Sequence, residues 1–190
     1  MKKIALLIVL LFALTKTFAQ NYFVLTEFGL RPAEDSNKEF IVFDKSGSQK
    51  ELFNMIKSFV YSIFVSPKDV VSEIDSSMIT INGISTNDVV AKKALGYLDI
   101  TMNYTITFHF KNGKIRVDNP SINKMTSESS STLWQLTLTK NDSYDSFRDR
   151  FVIFDKDKIK AEPAKENIES FFNNFIEKAI KYNTVKNEDW

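Results

Sequence analysis

The sequence predicts an α+β fold of two layers, a curved antiparallel sheet with two helices packed on one face. The elements run strand, helix, strand meander, helix. Three observations carry this. From Leu98 to Phe110 every even-numbered residue is apolar, and from Asp99 to His109 every odd-numbered residue is polar, so one long strand has a dry face and a wet face. Asn112-Gly113 follows, and both residues tolerate the positive φ that a two-residue type I′ hairpin turn requires. Two later and earlier segments repeat apolar residues at helical spacing, and a sheet that is dry on one side gives them a surface to cover.

The chain opens with Met1-Lys2-Lys3 and an apolar run of 11 residues, 4–14, ending near Thr17-Phe18-Ala19. A basic start, a short greasy core and a small residue before the cut predict a cleaved signal peptide over residues 1–19. A spanning helix would need about 20 apolar residues, so no stable membrane anchor is expected. Without cysteine, there is no lipid attachment at a signal cysteine, no disulfide and no thiolate chemistry. The expected location is periplasmic or secreted. The single domain is expected over 20–182, with a frayed tail over 183–190.

Tyr22 to Leu25 predicts a first strand, and polar, proline-bearing Leu30 to Lys38 a loop. Phe40 to Phe43 predicts a second strand. Ser48 and Glu51 form an S-x-x-E capping box, followed by Leu52, Met55, Ile56, Phe59, Val60 and Ile63 on one helical face. Pro67 places the end of that helix before it. Val70 to Ile74 and Met78 to Ile81 predict strands, the second closed by Asn82-Gly83. Ser85 to Lys93 is polar and predicts a mobile stretch. The hairpin at 112–113 pairs Lys111 with Lys114, Phe110 with Ile115, His109 with Arg116 and Phe108 with Val117. A slip of one residue would turn both apolar rows into water. Thr126 to Thr132 predicts a polar loop, Trp134 to Leu138 a strand, and Phe151 to Phe154 another; 141–150 is ambiguous. After Pro163, Ile168, Phe171, Phe172, Phe175, Ile176, Ala179 and Ile180 share one face of a second helix.

Composition narrows function. Removing the three lysines of the signal segment from 25 basic residues leaves 22 against 24 acidic ones, a net charge of −2. Nucleic-acid binders carry a basic excess, so no nucleic-acid partner is expected. About 170 residues with 15 phenylalanines, the 17 of the full chain less Phe12 and Phe18, supply a sizeable core, so no metal or cofactor is needed to hold the fold and none is expected.

The segments Gly47-Ser48-x-x-Glu51-Leu52-Phe53, Ile81-Asn82-Gly83 and Phe108 to Arg116 give residues 37–120 a resemblance to a known family. It is similar to a domain-of-unknown-function family with a TATA-binding-protein-like fold, found in exported proteins of the Bacteroidota. The resemblance implies a curved sheet backed by helices and an exported location. It implies no catalytic or ligand-binding residues.

No catalytic constellation stands out. His109 is the sole histidine and faces Arg116. The acids offer pairs of the kind a glycosidase needs, but any sequence this acidic does, so a carboxylate hydrolase is a remote alternative. Asp155-x-Asp157 lacks the rest of a calcium loop. Ser46-Gly47-Ser48 lacks the spacing and Lys of a phosphate loop. Two binding readings remain. The wet face presents Thr101, Asn103, Thr105, Thr107 and His109 beside Lys114 and Arg116, a docking surface for a protein or glycan. Alternatively, Phe59, Phe64, Phe171, Phe172 and Phe175 line a cavity between sheet and helices that carries an apolar small molecule or lipid.

Overall fold

The computed structural model describes residues 21–93, 96–129, 132–139, 150–156 and 158–183. Residues 1–19, where a signal peptide is expected, nearly all of the ambiguous stretch 141–150 and the tail from 184 lie outside them. The described chain is α+β.

β1 (Phe23–Thr26) and β2 (Gly29–Pro32) form a small antiparallel hairpin of their own. The expected loop from Leu30 is therefore a strand at its start. Leu30 is 2% exposed, and its burial opposite Leu25 outweighs the polar residues that follow. Pro32 is tolerated at the end of a two-stranded sheet, where a missing N–H breaks no central ladder.

Among the described residues the main sheet has nine strands. Its edge strand β3 (Phe40–Asp44) precedes α1 (Gln49–Ile63). The predicted capping box is present: Ser48 N–H donates to Glu51 Oε2 at 2.7 Å, and Glu51 N–H donates to Ser48 Oγ at 3.3 Å. Asn112 Oδ1 accepts from Gln49 N–H at 2.8 Å, so the hairpin turn also caps this helix. The helix buries Leu52, Phe53, Met55, Ile56, Phe59 and Val60. Ile63, the last residue of the helix, is 48% exposed; Phe53, outside the predicted stripe, is buried, its ring edge-on to Phe110 at 5.6 Å.

A single turn, α2 (Pro67–Val70), leads into β4 (Val71–Ile74). β5 (Met78–Lys93) and β6 (Gly96–Lys111) then pair along their whole lengths. Two expectations are corrected. Asn82-Gly83 does not close a strand, and Ser85 to Lys93, expected as a polar mobile stretch, continues it. The polar residues sit where the register shifts between Ser85 and Val89, and Asn87 takes a positive φ of 69°, which Asn tolerates. Beyond that irregularity Val89 and Ala91 are fully buried, so packing restores the strand.

The hairpin from β6 to β7 (Lys114–Asp118) has the expected register, Phe108 with Val117, His109 with Arg116, Phe110 with Ile115 and Lys111 with Lys114. β8 (Ser121–Ser129) and β9 (Thr132–Thr139) extend the sheet, so most of the expected polar loop 126–132 is strand. β10 (Arg150–Asp155) pairs parallel to β9 and antiparallel to the short β11 (Lys158–Ile159). The sheet is thus antiparallel apart from one pair. Bulges in β5 and between Asn103 and Tyr104 bend it, as bulges do.

α3 (Glu162–Lys181) closes the fold. Along β6, Leu98, Ile100, Met102, Tyr104, Ile106, Phe108 and Phe110 are at most 5% exposed. Both long helices pack on this dry side, and Phe59 of α1 meets Phe175 of α3 edge-on at 5.4 Å. Beyond the dry face, α3 grips the β1–β2 hairpin. Asn173, 3% exposed, accepts from Tyr22 and Phe23 N–H and donates to the Phe23 carbonyl. Glu169 accepts from Leu25 N–H at 2.7 Å.

Candidate functional site

The wet face is built by strand register. Residues that stand side by side across β4, β5, β6, β7 and β3 form two transverse rows. One row is Ile74, Met78, His109, Arg116 and Val42. The next holds Ser72, Thr80 and Thr107 on β4 to β6, and Asp118 and Phe40 on β7 and β3. Farther along β6, Asn82, Thr105 and Ser121 align, and Thr101 pairs with Thr126. Alternation fixes which side chains lie here, since neighbours along a strand point to opposite faces.

The polar groups of this face hold one another. Thr80 and Thr107 hydroxyls lie 3.2 Å apart. Thr105 Oγ1 donates to Asn82 Oδ1 at 2.8 Å and accepts from Asn123 Nδ2 at 3.0 Å. Asp118 bonds to both neighbours: Oδ2 lies 2.8 Å from His109 Nε2, and Oδ1 accepts from Arg116 Nε at 2.8 Å. The expected opposition of His109 and Arg116 is real in register, and one carboxylate bonds to both. Arg116 also lies over the Phe40 ring, 4.6 Å from its centroid, in cation–π geometry. Lys114 pairs with Asp44 at 2.6 Å.

All seven predicted face residues are therefore on one surface. Thr101, Asn103, Thr105, Thr107, His109 and Arg116 are half-buried and Lys114 is exposed. Sequence reasoning missed the apolar members. Phe40 is 39%, Val42 44% and Ile74 52% exposed. A four-residue apolar run such as Phe40 to Phe43 carries no alternation, so it cannot show that one of its faces is wet.

The predicted cavity residues separate. Phe59, Phe171 and Phe175 line a groove of about 420 Å³ between α1 and α3, with Asp88, Asn167 and Lys178. Phe172 is fully buried and stacks edge-on with Phe171 and Tyr104. Phe64 lies at the end of α1 and packs against the core. Burial, with Asp88 adding, pushes the Tyr104 hydroxyl up to about 12.

Among the described residues no group of three or more His, Cys, Asp or Glu side chains could hold a metal ion, and no helix is long and apolar enough to cross a membrane. His109 and Asp118 form a dyad of the kind that orients a base. Of the hydroxyls on this face, those of Thr80, Thr105 and Thr107 bond to one another or to asparagines.

No protein-family model and no curated protein matches the sequence. Two solved structures are similar in shape. One, a DUF4468 family protein from Bacteroides ovatus, is 16% identical with a TM-score of 0.47, over 77% of this chain and 87% of its own. The other, a TBP-like protein from Parabacteroides distasonis, is 13% identical with a TM-score of 0.44, over 76% of this chain and 94% of its own. They bear the two descriptions that the sequence resemblance implied, a family of unknown function and a TBP-like shape.

Proposed function

We propose that this protein is an exported, non-catalytic binding domain whose open sheet face docks a protein or glycan. The observation that supports it is the pair of rows crossing five strands. They combine a half-exposed His–Asp–Arg cluster with Phe40, Val42, Ile74 and Met78, and no described helix lies over them. Polar contacts that fix orientation beside apolar contacts that exclude water are the makings of an interface. Export rests on the leader-like sequence of residues 1–19.

The test replaces Thr105 with Glu and Arg116 with Glu. Both changes put negative charge on the face, and Arg116→Glu sets a second carboxylate beside Asp118. Wild type should retain a binding partner from the exported fraction of its own cells, or a defined glycan on an array. The double variant should lose it while its melting temperature moves by only a few degrees, since both side chains stand off the core. Retention by the double variant, or no partner from either source, would refute the proposal.

A second reading is supported by the groove that Phe59, Phe171 and Phe175 line: an apolar ligand lies along it. Displacement of an apolar dye by fatty acids, lost in Phe171→Asp, is its test. Dye binding that survives that change would exclude it.

A further inference from the structure

We infer that β3 is a dimerisation edge, pairing antiparallel with β3 of a second copy so that two main sheets join into one. The inference goes beyond the docking face: it stands on the strand's outer backbone and on the order of its residues.

Among the described residues β3 pairs with β7 alone, on its inner side. Asn119 N–H donates to the Glu39 carbonyl and Lys45 N–H to the Gly113 carbonyl. These bonds fix the alternation of the antiparallel ladder, in which inward-bonding residues alternate with outward-facing ones. Glu39, Ile41, Phe43 and Lys45 bond inward, so the N–H and C=O groups of Phe40, Val42 and Asp44 face out. Among the described residues no strand takes them. A groove of about 490 Å³ lies there, touching Phe40, Ile41, Val42 and Phe43 in succession, with Tyr22, Pro32, Glu34 and Lys38 beyond. Consecutive strand residues point to opposite faces, so a space that touches four in a row runs along the edge.

Exposed edges are usually blunted by lysine, proline or a bulge within the strand. β3 itself contains none of these; its charged member is Asp44, and the nearest lysine on this side, Lys38, precedes the strand. The flanks instead carry opposite charges, Glu39 before the run and Lys45 after it. That order is self-complementary under a two-fold axis, as a symmetric dimer requires. With the axis at Val42, Ile41 stands opposite Phe43 of the second copy, and Glu39 opposite Lys45 of the second copy, each twice. Shifting the pairing by two residues sets Glu39 against Phe43 or Lys45 against Ile41, so charge selects the register. The same pairing sets Val42 against Val42 of the second copy and Phe40 against its Asp44, and it covers the Val42 side chain, which is half exposed in one chain.

Sedimentation equilibrium of the purified protein should show a monomer–dimer equilibrium across micromolar concentrations. Val42→Pro removes an outward N–H and no bond to β7, so it should give a folded monomer. Glu39→Lys and Lys45→Glu each turn two cross-strand attractions into repulsions. Each alone should weaken the dimer about tenfold, and the two together should restore it to within about threefold of wild type. A wild type that stays monomeric throughout overturns the inference. So does a dimer that survives Val42→Pro in a folded chain, or one that the double charge exchange fails to restore.

Discussion

Gly83 shows how one residue can mislead a reading of sequence and then explain the fold. Asn-Gly is a turn signal, yet here the strand runs straight through. The reason is contact: a Cβ on Gly83 would lie 2.3 Å from Cζ of Tyr104, its cross-strand partner. The ring lies flat against the bare backbone, a use of glycine that local sequence cannot reveal. Tyr104 is held by Phe171 and Phe172 at 5.0 and 5.7 Å, so it cannot swing aside. Gly83→Ala should cost about 1–3 kcal/mol, as overpacking does. The loss should shrink in a Tyr104→Leu background, measured by urea denaturation in a double-mutant cycle. The same ring makes a pH prediction. Its hydroxyl pKa lies above the ordinary value of 10.0, at about 12 in the fold. The neutral form is therefore the one the fold favours, and its contribution is whole below pH 10 and lost as pH rises towards 12. Tyr104→Phe should flatten that alkaline fall in stability; an unchanged slope would assign it to other groups.

At the scale of elements, α3 does two jobs, of which the sequence displays one. Its apolar stripe was legible from spacing, because helical periodicity reports burial directly. Its polar work was not. Asn167 Oδ1 accepts from Val90 N–H just past the irregularity in β5, and Asn173 and Glu169 bind the backbone of β1. An asparagine inside an apolar stripe looks like an interruption until the strand that needs its amide is in place. The hairpin β1–β2 belongs to a separate sheet, so these bonds are its polar tie to the rest of the molecule. Asn173→Ala would strand buried groups of Phe23, at a cost of about 1–3 kcal/mol for each. Amide exchange of Phe23 and Leu25 should quicken well before that of Ile106 in mid-sheet. Equal acceleration everywhere would mean that the hairpin and sheet open as one unit. Asn112 carries a similar double duty. Its turn role was visible from the dipeptide, while its cap on α1 spans 63 residues, and long-range partners leave no local trace.

Across the whole molecule, the alternating pattern of β6 was the most informative feature because it records a two-sided environment. A residue in that strand is either under the helices or on the open face. The short strands β2 and β3 and the irregular part of β5 were harder to read, since a few residues cannot establish a period and a bulge resets it. For the same reason the polar half of the candidate face was legible and its apolar half on β3 and β4 was not. The asymmetry has a direct consequence at adjacent positions. Ile106 is fully buried on the dry side, while Thr107 is half-buried on the wet side and bonded to Thr80. Ile106→Ala leaves a cavity beneath two helices and should cost about 2–5 kcal/mol. Thr107→Ala removes one hydroxyl bond that water can replace and should cost about 1 kcal/mol or less. Urea titrations of the two variants measure the difference in midpoint, with m-values expected to match wild type. If Thr107→Ala proved as costly as Ile106→Ala, both sides of the sheet would be covered, and the open face on which docking depends would not exist.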